Sequence, residues 1–176
     1  MARTLQQPGP VASFDFRWLR FLLGFAVVFL ATSRLHQATR ERTAPVMVGV
    51  LSTQASAGLI NLLTPAEHAA ARANRIQGTT SLLIGQGCDG VDGVLLLLSA
   101  VLAFPAGWKR KAQGVLLGLP LLYVSNLVRI VTLYYVQRSA PGAFAFMHEY
   151  VGQTFFILVG GAFFLGWSGA LARPRP

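Results

Sequence analysis

Apolar side chains run in long blocks along the chain, with polar residues gathered between them. The first block, Phe14 to Ser33, carries Arg17 and Arg20 near its start. It is long enough to span a bilayer at about 1.5 Å rise per residue. Ala31-Thr32-Ser33 loosely resembles a signal-peptide cleavage site. The polar lead-in is long and the block rich in aromatics, so a retained anchor is the better reading. Arg34 to Pro45 reads as a charged connector. Val46 to Leu63 is interrupted by Ser52, Thr53, Gln54, Ser56 and Asn61, with Gly49 and Gly58. That pattern predicts an interfacial or re-entrant helix over 46–63, with a full crossing as the alternative. Thr64 to Gly87 is polar, helical in pattern over Ala66 to Arg75 and more extended over Gln77 to Ile84. Three further apolar blocks follow at Val91 to Ala106, Gly114 to Val136 and Val151 to Gly169.

The expected fold class is therefore all-α: a polytopic membrane protein forming one membrane domain over 1–176, with about four transmembrane helices plus the interfacial or re-entrant segment. Basic clusters set its orientation. Placing Lys109 to Lys111 and the tail with Arg173 and Arg175 in the cytoplasm satisfies the positive-inside tendency. Arg3, Arg17 and Arg20 then also lie inside, and 64–87 becomes extracytoplasmic. Arg34, Arg40, Arg42, Arg72 and Arg75 fall outside in this arrangement, against the same tendency. Five spans with an external N-terminus is the alternative topology. Gly114 and Gly118, and later Gly160 and Gly161, permit close helix contact, while Pro120 would kink the longest span.

Composition supports a lipid-covered chain. It is 53% hydrophobic and 12% charged, too apolar for a soluble unit of 176 residues. The excess of 15 basic over 6 acidic residues lies in clusters beside apolar blocks, without interleaved stacking aromatics. Anionic headgroups account for it better than nucleic acid, which is not expected as a partner. The single cysteine, Cys88, has no disulfide partner within the chain. His36, His68 and His148 form no ligand-spaced pair, so neither a metal site nor a cofactor is expected.

Under this topology three chemistry-bearing residues meet on the extracytoplasmic face. Cys88 sits in Gly85-Gln86-Gly87-Cys88-Asp89-Gly90, where glycines relax the backbone and leave the thiol approachable. Arg129 lies in the long span, about seven residues (roughly 10 Å) below its outer end, and His148 just precedes the last span. A thiolate nucleophile, a histidine proton carrier and an arginine that stabilises an oxyanion suffice for acyl transfer. Each also has a plain structural reading. A lone cysteine can be packing, Arg129 can snorkel to headgroups, and His148 can sit at an interface. Asn126, three residues before Arg129, extends a polar face on the same helix.

These blocks resemble the exosortase/archaeosortase family of membrane cysteine transpeptidases. The matching stretches are Gly87-Cys88-Asp89-Gly90, Asn126-Leu127-Val128-Arg129-Ile130 and Phe146-Met147-His148-Glu149-Tyr150. The short chain, the run from His148 to Gln153 and Trp167 are most similar to the compact exosortase H group. The resemblance implies a catalytic set of Cys88, Arg129 and His148, with Asn126, Asp89 and Gln153 binding substrate or supporting the site. Asp89 stands where the family often has serine or asparagine, and its carboxylate would either raise the thiol pKa or orient His148. The implied activity is cleavage of a C-terminal sorting signal on exported proteins through a Cys88 thioester. That signal comprises a motif, a hydrophobic helix and a basic tail. The acyl group passes to an acceptor nucleophile that the sequence does not identify. The implied location is the bacterial inner membrane with the active site facing the periplasm. The rival readings are a non-catalytic membrane assembly subunit and a membrane acyltransferase. Residues 34–76, polar and just ahead of Cys88, are the candidate for an external lid.

Overall fold

A computed structural model describes residues 16–85 and 87–172. Arg3, Gln86, Arg173, Arg175, the side chain of Arg17 and the first two residues of the expected 14–33 span lie outside the described residues. The chain order begins with α1 (Phe16–Ala44), a π-type segment (Pro45–Gln54) and α2 (Ala55–Leu63). Strands β1 (Ala70–Arg72), β2 (Arg75–Gln77) and β3 (Ser81–Leu83) come next. Then follow α3 (Val91–Ala103), α4 (Trp108–Ser139), a single turn α5 (Phe144–Phe146), a π-type turn (Met147–Val151) and α6 (Gly152–Ala172). The architecture is that of an all-α polytopic membrane protein bearing one small sheet. Trp18–Leu63, Trp108–Ser139 and Pro141–Gly169 are long and apolar enough to cross a membrane, and Val91–Ala103 is a shorter apolar helix.

The first helix does not stop where the charges begin. Arg34 to Pro45, expected as a connector, is helical to Ala44 and passes straight into the π-type segment. The stretch holds strong helix formers and no glycine. Thr39 and Thr43 donate their hydroxyls to the carbonyls of Leu35 and Thr39, one turn back. Pro45 has no N–H to give, and a wider turn tolerates its absence. Ser52 and Thr53 likewise donate to the carbonyls of Met47 and Val48, five residues back. Two of the polar residues that interrupt the apolar pattern are thus satisfied within the helix, whereas the buried Ser56 hydroxyl finds no partner. A straight helix of 46 residues would reach about 70 Å, more than twice a hydrocarbon core, so only part of this run can cross.

The expected helical pattern over Ala66 to Arg75 is overturned: this stretch is turn and strand. Left-handed backbone at His68 (φ 47°) and Ala73 (φ 52°) ends any helical path. Asn61 bonds both the N–H and the C=O of Ala69, at 2.7 and 2.8 Å, and steers the chain into β1. The three strands form an antiparallel sheet in sequence order. Ile76, Leu82 and Ile84 point down from it into a core with Ile60, Ile130, Leu133 and Tyr134. Burying each such side chain contributes roughly 1.5–3 kcal/mol. A polar latch holds the sheet to α4. The Tyr134 hydroxyl donates to Glu67 at 2.7 Å, the Thr79 N–H donates at 3.3 Å, and Arg138 pairs with the same carboxylate.

At the opposite, basic end the helices close tightly. A Cβ on Gly114 would stand 2.9 Å from the Trp167 ring, and one on Gly118 would stand 2.6 Å from Leu97. Gly160 also faces a neighbour, Leu122, whereas nothing lies near Gly161. α3 ends at Ala103 because Phe104 is extended ahead of Pro105. Lys109 to Lys111 form the first turn of α4 rather than a loop, and Lys111 donates to the Leu102 carbonyl at the end of α3. The last helical run likewise starts at Pro141, so His148 lies within it and not ahead of it.

The Glu67 latch makes a pH-dependent prediction. The hydrogen bond from Tyr134, helped by Thr79 and Arg138, holds the Glu67 carboxyl below its ordinary range. A depressed carboxylate stabilises the fold above the ordinary value of 4.5 and loses that contribution as pH falls through its lower, folded value. Thermal unfolding in detergent should show Glu67→Gln melting below wild type at pH 7. The gap should close as pH drops well under 4.5.

Candidate active site

The link from β3 to α3 delivers Cys88 to the helices through two left-handed turns, at Gly87 (φ 78°) and Gly90 (φ 75°). Glycine is required at Gly90 twice over, because a Cβ there would stand 2.7 Å from the Asn126 side chain. Cys88 N–H closes a turn to the Gly85 carbonyl at 3.2 Å. The carbonyls flanking the thiol are then taken by α4 and α6. Arg129 Nη1 donates to Gly87 O at 2.8 Å, Asn126 Nδ2 donates to Cys88 O at 3.2 Å, and Gln153 Nε2 reaches Gly87 O at 3.5 Å. The cysteine loop is thus bonded by three side chains from two helices.

His148 completes the cluster from the π-type turn ahead of α6. Its Nε2 lies 2.8 Å from Cys88 Sγ, hydrogen-bond distance for a thiol–imidazole pair. The ring is stacked on Phe144, one helical turn earlier, with centroids 5.7 Å apart and planes 15° apart. Asp89 does not orient it. The Asp89 carboxylate instead accepts the Val91 N–H at 3.2 Å, at the N-terminal end of α3 where negative charge is favoured.

The electrostatics are those of a protonated resting thiol. Burial pushes the Cys88 thiol above its ordinary range; Arg129 pulls it down and Asp89 pushes it further up. Of the two contributions sketched for Asp89, its carboxylate is bonded to the Val91 N–H and not to His148. Arg129 is 3% exposed, so its guanidinium does not snorkel. With Nη1 on Gly87, its Nε and Nη2 are buried without a partner, as is Oδ1 of Asn126. Buried donors left open in this way are costly and call for an explanation. Nε lies against Gly152, so the unpaired guanidinium groups sit between α4 and the start of α6.

Cys88, Arg129, His148, Asn126 and Gln153 are therefore together, with Asp89 adjoining. Sequence reasoning assigned no role to Gly152 and Phe144. A Cβ on Gly152 would stand 2.8 Å from Arg129 Nε and 3.1 Å from the Met147 carbonyl, so this glycine makes room for the guanidinium. Its signal was its place one turn after His148 in a helix that must pass close to α4. Two cavities flank the cysteine loop. One of about 480 Å³ is apolar, lined by Met47, Leu51, Val94, Pro120 and Tyr123 beside Asp89 and Asn126. The other, about 400 Å³, is lined by Arg34, His36, Arg40, Asp89 and Asp92. Among the described residues no group of three or more His, Cys, Asp or Glu side chains is placed to hold a metal ion.

Alkylation of Cys88 with iodoacetamide checks these electrostatics. Asp89→Asn should speed labelling at pH 7–8 severalfold by removing a like charge, and Arg129→Ala should slow it. Gly152→Ala should destabilise the chain by about 1–3 kcal/mol through overpacking against Arg129. Thermal unfolding measures that loss, with Gly161→Ala as the control.

A model of the transmembrane exosortase family matches residues 14–165. No curated protein and no solved structure matches the chain. The family match takes in the apolar helical runs except the last few residues of the final one, together with Cys88, Arg129 and His148. The chain belongs to the transmembrane exosortase family.

Proposed function

We propose that the protein is a sorting transpeptidase that cleaves the C-terminal signal of exported proteins at the periplasmic face of a bacterial inner membrane. The observation that carries this reading is the 2.8 Å contact between Cys88 Sγ and His148 Nε2, with the Arg129 guanidinium bonded to the carbonyl of the preceding Gly87 and two of its N–H groups unpartnered. The thiol is neutral at rest, so attack is coupled to proton transfer. As Sγ bonds to the scissile carbonyl carbon, His148 takes the thiol proton. The oxygen becomes an oxyanion and receives N–H donors from Arg129, whose charge persists at any physiological pH. Collapse breaks the C–N bond, and His148 returns the proton to the leaving amine. A thioester on Cys88 remains, and an acceptor nucleophile resolves it and regenerates the thiol.

Asn126 and Gln153 hold the cysteine loop by its carbonyls, so they act as positioning residues. The substrate's hydrophobic helix lies in the bilayer and brings its motif to the level of Cys88, which supplies orientation ahead of the chemistry. The basic end with Lys109 to Lys111 favours the cytoplasm, which turns the Cys88 end outward.

Processing of a tagged protein with a C-terminal sorting signal, followed by gel shift, tests the reading. Cys88→Ala should abolish cleavage, and Arg129→Ala and His148→Ala should lower it at least a hundredfold at equal membrane levels. Unchanged processing by Cys88→Ala would remove the nucleophile and favour a non-catalytic subunit.

A further inference from the structure

The sheet offers an unused edge that leads into the site. β3 is terminal in the strand order β1-β2-β3. It pairs with β2 so that Arg75 faces Leu83, Ile76 faces Leu82 and Gln77 faces Ser81. Two bonds beyond the ladder continue this register: Gly78 N–H to Thr80 C=O, and Ile84 N–H to Asn74 C=O. Bonded pairs alternate along an antiparallel ladder, so Ile76 and Leu82 form the bonded pair between them. The N–H and C=O groups of Ser81 and Leu83 consequently point away from β2. They have no partner among the described residues. Both side chains are exposed, Leu83 by 51%, so nothing at these positions roofs the edge.

An open strand edge is a template for another extended chain, and proteins usually blunt or cover it. This one continues through Ile84 and Gly85 to Cys88. Its direction is also informative. Gly78, before β3, abuts Tyr134 and Glu67 near the end of α4, whereas Gly87 and Gly90 meet Arg129 and Asn126 deeper along that helix. β3 therefore descends α4 toward the thiol. A sorting signal whose motif lies outside and whose C-terminal helix enters the bilayer descends in the same sense.

We infer that the edge of β3 is the docking site for the recognition motif, which binds as an extended strand parallel to β3. The main-chain groups of Ser81 and Leu83 bond to it, and its carbonyl at the descending end is placed over Cys88. This rests on the sorting reading above. Main-chain pairing supplies affinity and alternate side chains of the peptide supply selectivity. Ser81 and Leu83 are positioning residues, since they touch the substrate's backbone away from the reacting atoms.

The test uses the full chain in detergent, a tagged sorting-signal protein and synthetic peptides of its motif. Proline at position 81 or 83 removes an outward N–H and spares the main-chain bonds to β2; Ser81→Pro also loses the exposed bond from Arg75 Nη1 to Ser81 Oγ, for which Ser81→Ala is the control. Ser81→Pro and Leu83→Pro should each raise KM about tenfold, the effect of one hydrogen bond. kcat and the iodoacetamide labelling rate of Cys88 should stay near wild type. Independently of folding, methylating the backbone nitrogens of the peptide one at a time should cost about tenfold in KM at alternate positions only. Wild-type KM in both variants, or a methylation profile without alternation, overturns the proposal. A KM loss matched by an equal loss of labelling assigns the effect to a displaced cysteine loop and also counts against it. Cleavage that persists in Cys88→Ala instead refutes the sorting reading, so the two failures are distinguishable.

Discussion

A guanidinium buried ten residues from the end of a membrane-crossing helix must find acceptors inside the protein, because lipid provides none. Placing an arginine at such a depth costs about 2.5–3.5 kcal/mol on insertion scales. Arg129 meets this constraint with one main-chain carbonyl, that of Gly87, at 2.8 Å. Much of the local architecture follows. The chain before α3 has to bend down to present that carbonyl, which requires left-handed backbone at Gly87 and Gly90. Bending there brings Cys88 beside the helix. The neighbouring helix must carry glycine at 152 so that the guanidinium fits at all. Charge burial, loop shape and thiol placement are one problem with one solution.

That solution leaves two N–H groups of Arg129 unspent, and the proposed mechanism uses them to receive the oxyanion. Satisfying every donor internally would give a more stable protein with no electrophilic pocket. The thiol shows the same compromise: burial pushes its pKa up, while the imidazole that the proposed mechanism uses as base is in contact with it. The small sheet supports the arrangement from above. Its buried residues pack on α2 and α4, the Glu67–Tyr134 latch fixes its tip, and its last strand runs into the cysteine loop.

Much of this was legible in the sequence. Long apolar blocks marked the crossing helices, and basic clusters marked one end. Alternating helix directions brought Cys88, Arg129 and His148 to one face before any coordinates. The family match agrees with the resemblance those blocks carried. Other features were hidden for identifiable reasons. Arg34 to Ala44 looked like a connector because charge was read as a break, although its residues favour helix. The sheet was obscured by alanines at 66 and 69–71, whose helical preference yields to Asn61 and to the left-handed turns at His68 and Ala73. Gly152 was hinted at only by its place one turn after His148, and the guanidinium it makes room for was not legible in the sequence. The Glu67 latch joins residues 67 positions apart, a pairing no local pattern announces.

The central claim is that Cys88 carries the acyl group during turnover. Intact-mass spectrometry of enzyme quenched in acid during processing tests it most directly. The account predicts an adduct equal in mass to the N-terminal part of the cleaved substrate, mapped to Cys88 and released by hydroxylamine as a thioester is. Cleavage that proceeds with no adduct on Cys88, or with one mapped to another residue, would contradict it.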